Sequence, residues 1–381
     1  MIFILSFVSF NNAIGNHKSY LNLKNRNQLH SLAKLTIDLA NDIYCMDIKE
    51  SDCDDCFDFI NDSKYSNGNV IEKISAKDDI PKTIIYDFNG NDNIPKIRII
   101  ALRGTHTKRE WQSNFVFIDK HGKDLGINVD GLFHPGFANS SIKLWNQIEK
   151  YIINCKYPVI LTGHSRGGSI SEILYVIAKE KNPKQKIYCM SYGPLPSMII
   201  YEKERKLTKN IHVFINENDP IPRITMKNLC GIKYPFSSKI GDCLKNSITF
   251  LPFGLGEKLF GNKKDCNPML GNFFKTLSGI IDDSHKKYAK SAVEENLKRI
   301  EEEANECIKN PGKCLLSKQV GRVFRLSWVN DKSCLKKSLF KLRLNKVQKN
   351  ETTKICHMSE INNIKDHKPS FYKQVLHGPV C

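Results

Sequence analysis

The chain has 381 residues, 40% of them hydrophobic and 26% charged, with 58 Lys and Arg against 40 Asp and Glu for a formal charge of +18. This length buries a large core and fits one catalytic-sized domain with insertions, or a domain with a smaller lobe; composition and the lack of any internal repeat exclude a low-complexity or solenoid chain. The positive surplus points to an anionic partner, a membrane surface or a nucleic acid, or else to a solvated surface shaped by Lys- and Asn-rich composition; no nucleic-acid-binding motif appears, which favours lipid.

Residues 1–10 form one apolar run, broken at Asn11-Asn12 and followed by the small Ala13. It is too short to cross a bilayer, which needs about 20 apolar residues, and has the length of a signal-peptide core. A cleaved signal over residues 1–15 is expected, and with it a secreted or endomembrane-lumen protein. Thirteen cysteines then predict disulfides, and three glycosylation sequons at Asn61, Asn139 and Asn350 fit the same route. Apolar residues at three- and four-residue spacing over about 28–46 predict a helix, read as part of an N-terminal helical cap spanning 16–82. Cys53 and Cys56 lack a second ligand pair for zinc and read as a disulfide or as ordinary thiols.

From residue 83 the pattern changes to short β-branched runs alternating with helical stretches. Strands are predicted at 83–88, 96–102, 158–162, 186–192 and 210–216, and helices at 140–154 and 167–181. This alternation predicts an α/β fold over 83–230 with a mostly parallel central sheet and helices on both faces. Residues 231–350 read as a basic, Cys-containing insertion, with 24 basic against 12 acidic residues and a helix over about 283–309. Residues 351–381 read as a returning core segment.

Gly163-His164-Ser165-Arg166-Gly167 contains G-x-S-x-G, a weak pattern alone. Here a β-branched run precedes it and a helical run follows. That context predicts a strained strand-to-helix turn presenting the Ser165 hydroxyl as a nucleophile, with the Arg166 N–H aimed at a developing oxyanion. A base and an orienting acid must then lie within hydrogen-bond reach. Asp219 follows the strand at 210–216 and is the candidate acid. The later histidines His285, His357, His367 and His377 are the candidate bases: His285 lies in the charged helix, His357 has no informative context and His377, near the end, is expected to fray.

Taken together these stretches resemble the class 3, fungal-lipase-like lipases. Ile99-Ile-Ala-Leu-Arg103-Gly104-Thr105, His134-Pro135-Gly136-Phe137, Ser191-Tyr192-Gly193, Asn218-Asp219-Pro220-Ile221-Pro222-Arg223 and Asp366-His367-x(4)-Tyr372 follow in the family's order around the Ser165 elbow. The resemblance implies an α/β-hydrolase fold and a triad of Ser165, Asp219 and His367. It implies an oxyanion hole from Thr105 and Arg166, and a lid bearing Trp111. The activity it implies is hydrolysis of lipid esters (triacylglycerol or phospholipid) without metal or organic cofactor; a silent lipase-like binding or signalling protein is the alternative. Two departures stand out: Arg166 replaces the usual Leu, adding a cation near the acyl site, and the stretch between acid and histidine is unusually long.

Overall fold

The structure, a computed structural model, describes residues 20–44, 65–114, 116, 118–153, 155–216, 219, 221–223, 295, 299, 320–326, 345–346 and 367–377. Its centre is an eight-stranded sheet. In chain order the strands are β1 (Gly68–Ile74), β2 (Thr83–Phe88), β3 (Ile97–Leu102), β6 (Val159–His164), β7 (Ile187–Tyr192), β9 (Ile211–Asn216), β10 (Arg322–Leu326) and β11 (Asn345–Lys346), adjacent in that same order. Pairing from β3 through β10 is parallel, whereas β1, β2 and β11 join antiparallel. A three-stranded sheet of β4 (Lys120–His121), β5 (Gly131–Phe133) and β8 (Met198–Ile200) lies apart from it.

Strands covered on both faces must be apolar on both, and β6 shows how. Val159 and Leu161 join the core under α3 (Pro135–Ile153) and α4 (Arg166–Lys181), while Ile160 joins a second core under α1 (Arg26–Asp42) and α5 (Pro369–His377). The two-residue period of the strand sorts its side chains between the layers. This is the expected α/β-hydrolase architecture.

Helix α1 begins at Asn25, whose side chain accepts from the N–H groups of Asn27 and Gln28. It buries Leu29, Leu32, Ala33, Ile37 and Ala40 and holds the C-terminal helix α5. Lys373 of α5 lies 3.3 Å from Asp42 and 3.8 Å from Asp38, and His377 Nε2 lies 3.0 Å from Asp38. His377, expected to fray, is thus the docked last residue of α5.

Two expected boundaries need correction. The helical cap assigned to 16–82 also contains β1, an edge strand of the main sheet. The insertion assigned to 231–350 supplies β10, which pairs with β9 from Arg322↔His212 to Leu326↔Asn216, and β11. The chain leaves the sheet after β9 and rejoins it as the neighbouring strand β10. The expected signal segment, Cys53 and Cys56, most of the 283–309 helix, His285 and His357 lie outside the described residues. Cys155 and Cys189 are free and buried, so neither takes part in the expected disulfides.

Candidate active site

Strand β6 ends at His164 and α4 starts at Arg166, leaving Ser165 alone in the turn with φ 55° and ψ −127°. A side chain other than glycine in this region carries strain of about 1–3 kcal/mol. The flanking glycines make the turn possible. A Cβ at Gly163 would come within 2.5 Å of the Gly167 carbonyl carbon, and one at Gly167 within 2.5 Å of the Leu102 oxygen. Ser165 N–H donates to the Tyr192 carbonyl at 2.9 Å, pinning the turn to β7.

His367 Nε2 lies 2.9 Å from Ser165 Oγ, and His367 Nδ1 lies 2.9 Å from Asp219 Oδ2. Asp219 is fully buried. With Nδ1–H donating to the carboxylate, Nε2 is the lone-pair nitrogen facing the hydroxyl. Asp219 is itself fixed. Its Oδ1 accepts from Ile221 N–H at 2.9 Å, and its Oδ2 accepts from the Tyr372 hydroxyl at 2.6 Å. The Tyr372 hydroxyl in turn accepts from Asn216 N–H at 3.1 Å. Gly193, at φ +54°, explains the glycine of Ser191-Tyr192-Gly193: a Cβ there would stand 2.8 Å from both Asp219 Oδ2 and the Tyr372 hydroxyl. The three residues read as nucleophile, acid and base are therefore brought together although 202 positions separate Ser165 from His367.

His164 supports the histidine from behind. Its burial holds its pKa well below the ordinary value, so the ring is neutral. The hydroxyl of half-buried Tyr44, whose pKa burial raises, lies 3.1 Å from His164 Nδ1, and His164 Nε2 faces the His367 carbonyl at 2.5 Å. A protonated phenol donating to Nδ1 leaves Nε2–H to donate to that carbonyl. The segment after α1 is thus linked through the elbow to the backbone of His367.

Arg166 is the first residue of α4, so its backbone N–H has no acceptor within the helix. Thr105 follows β3, and its Oγ1 accepts from Asn114 Nδ2 at 2.9 Å. Trp111 is half-buried in α2 (Lys108–Asn114), the helix between them. The Arg166 side chain, expected as an added cation near the acyl site, is enclosed under α2. Its guanidinium is fully buried and donates to the Asp79 carbonyl at 2.7 Å, Ser140 Oγ at 2.7 Å and Ser113 Oγ at 3.0 Å. Burial lowers its pKa to about 10, which leaves it charged at neutral pH.

Glu110 of α2 is also fully buried, with Oε1 3.7 Å from Arg103 and 4.0 Å from Arg166. Its Oε2 accepts from the N–H groups of His106 and Thr107, both at 2.7 Å, while Thr107 Oγ1 accepts from Glu110 N–H at 3.3 Å. This reciprocal Thr-x-x-Glu arrangement is a capping box. The far end of α2 rests on the His134-Pro135-Gly136-Phe137 stretch. A Cβ at Gly136 would lie 1.9 Å from the Ser113 carbonyl oxygen. His134, lowered to about 3 by burial, accepts from Phe137 N–H at 3.3 Å and bonds the backbone of Asn114. Outside, Gln112 Nε2 donates to Glu295 at 2.9 Å and Lys108 pairs with the same carboxylate.

One buried acid near the elbow is outside this arrangement. Glu172 of α4 receives Ser191 Oγ at 2.7 Å and Ser197 Oγ at 2.8 Å, and burial raises its pKa from 4.5 to about 8. An acid raised on folding binds its proton more tightly in the native chain, so its contribution is complete below the unfolded pKa and is lost as pH rises toward and through the folded one. Stability should therefore decline between pH 5 and 8, and Glu172→Gln should flatten that slope in urea unfolding. Parallel curves for the two proteins would assign the slope to other groups.

Fold and site geometry together place a serine, a histidine and an aspartate in hydrogen-bonded sequence at the strand-to-helix turn of a mostly parallel, helix-covered sheet. Residues 99–229 match the family model described as lipase (class 3), which bears out the resemblance carried by the motifs. Diacylglycerol lipase-beta of Mus musculus is 24% identical over 179 residues, covering 45% of this chain and 26% of that protein. A chloroplastic tRNA(Ile)-lysidine synthase of Staurastrum punctulatum is 27% identical over 128 residues, covering 29% of this chain and 26% of its own. This chain thus spans about a quarter of the length of either curated relative. The lipase–propeptide complex of Rhizomucor miehei covers 53% of this chain and 65% of its own at 16% identity, with a TM-score of 0.40.

Proposed function

We propose that the chain is a serine-dependent lipid ester hydrolase in which Ser165, His367 and Asp219 act as nucleophile, base and orienting acid. The observation that carries this reading is the unbroken run from Ser165 Oγ through His367 to buried Asp219, each step 2.9 Å, in a strained elbow. Ser165 Oγ would attack the ester carbonyl carbon while its proton moves to His367 Nε2. The oxyanion would be met by the N–H of Arg166 and by Thr105, each such donor worth about 3 kcal/mol. His367 would then protonate the leaving alkoxide, and water, deprotonated by the same imidazole, would release the acyl group.

Several features support a lipid substrate: the class 3 lipase match, a relative named as a diacylglycerol lipase, and α2 with half-buried Trp111 in the place the resemblance gives to a lid. Acylglycerol esters are the preferred class, with phospholipid esters next. The secretory route and attachment to an anionic membrane through residues 231–350 belong to the same proposal. The test is reaction of the purified protein with a fluorophosphonate probe, followed by a panel of acylglycerols and phospholipids. Labelling of wild type that is absent in Ser165→Ala, together with acyl release from lipids, is the expected result. Equal labelling of both proteins would remove Ser165 from the mechanism.

A further inference from the structure

The triad occupies the carboxyl ends of β6 and β9, whereas the amino ends of β3, β6 and β7 open onto a separate cleft of about 830 Å³. That volume lies within the range of sites for small molecules. A lysine stands on each approach: Lys96 directly before β3, Lys156 three residues before β6 and Lys186 directly before β7. These strands are neighbours, so roughly 5 Å between adjacent strands brings the three approaches to one face. Tyrosines alternate with the lysines. Lys96 Nζ lies 4.7 Å from the centre of the Tyr157 ring, and Lys186 Nζ lies 5.3 Å from that of Tyr20. Asn89 and Asn91 add amide groups to the rim.

What sets this cluster apart, among the described residues, is the absence of acid. Lys143, Lys203 and Lys373 each pair with an aspartate. Among the described residues, no carboxylate lies within 4.0 Å of Lys96, Lys156 or Lys186, although all three are exposed. A cleft lined by one sign of charge concentrates counter-ions. Three ammonium groups around one cavity present more charge than a single chloride or carboxylate neutralises, and the ring contacts limit where two of them sit. We propose that this cleft binds a small polyphosphorylated anion, independently of the ester-cleaving site. Phosphate groups of this kind occur free in solution or on phosphoinositide lipids. The soluble source fits better, because six-residue strands of about 20 Å separate the cleft from the triad. A bilayer seated at Ser165 would not reach it.

The test is calorimetric titration of the full-length protein with sodium tripolyphosphate at constant ionic strength. The comparison is with Lys96→Gln/Lys156→Gln/Lys186→Gln and with a control triple of equal charge change, Lys120→Gln/Lys123→Gln/Lys209→Gln. Affinity should fall at least tenfold in the cleft variant and less than twofold in the control, with hydrolysis of a short soluble ester unchanged in both. No binding by the wild type, or equal weakening in the two variants, would overturn the site. Binding of phosphoinositide vesicles that depends on the three lysines, without binding of tripolyphosphate, would overturn the soluble source.

Discussion

Alanine at Ser165 or at His367 should each lower kcat for a p-nitrophenyl ester by about 10⁶-fold, and the double variant should be no worse than either single one. The reason is geometric. His367 Nε2 has one partner to activate, Ser165 Oγ at 2.9 Å, and without either member no proton is moved at the moment of attack. Asp219→Ala should cost less, about 10⁴-fold, because the imidazole keeps its place through the His164 contact to its carbonyl and loses only its carboxylate partner. His377→Ala should change kcat less than threefold. Its ring faces Asp38 on α1, so the substitution weakens the docking of α5 and not the chemistry. A collapse of activity in His377→Ala with near-normal His367→Ala would reverse the assignment of the base. Circular dichroism of each variant separates lost chemistry from lost fold.

The parts legible in the sequence are those whose signal is local. Strands β2, β3, β6, β7 and β9 are buried on both faces and so read as continuous apolar runs, and the expected 83–88 is the observed β2. The elbow was legible because strand, glycines, serine and helix are contiguous. Strand β1 was not: Gly68–Ile74 alternates between half-buried and exposed on the edge of the sheet, with Glu72 and Lys73 in its middle. Strand β10 was hidden differently. Five residues containing Arg322 sit in a basic stretch, and their partner β9 lies more than 100 positions earlier, so no local periodicity marks them.

The same division runs through the site. Ser165, Asp219 and His367 were legible as candidates because each sits in a short pattern, that of His367 through its resemblance to the lipase ending. Tyr44 and His164 form a bond across 120 positions, and nothing in the sequence near Tyr44 marks it as a support for the histidine. Tyr372 stood in the Asp366-His367-x(4)-Tyr372 ending, yet its bond to Asp219 follows only from α5 docking over Gly193. Glu110 was legible in principle, since Thr107-x-x-Glu110 ahead of Trp111 is a helix-start signal. Its second role, between Arg103 and Arg166, required the fold.

That second role carries the other large effect. Glu110→Gln should destabilise the protein by about 3–5 kcal/mol, the usual cost of removing one partner from a buried charge pair. The amide can still accept from the His106 and Thr107 N–H groups, so the capping box survives and the loss reports on charge. Arg103 and Arg166 would then share a buried space without the carboxylate 3.7 and 4.0 Å away. Arg166→Leu alone leaves Glu110 with Arg103 but deprives the Asp79 carbonyl, Ser113 and Ser140 of a donor, and should cost about 2–4 kcal/mol. The double variant Glu110→Gln/Arg166→Leu should be more stable than the sum of the two predicts, because it buries one guanidinium in place of two. A coupling of about 1–3 kcal/mol is expected for groups in one network. Additive losses in urea unfolding at neutral pH would mean that Glu110 and Arg166 stabilise the protein separately, and that α2 is held over α4 by hydrogen bonds and packing alone.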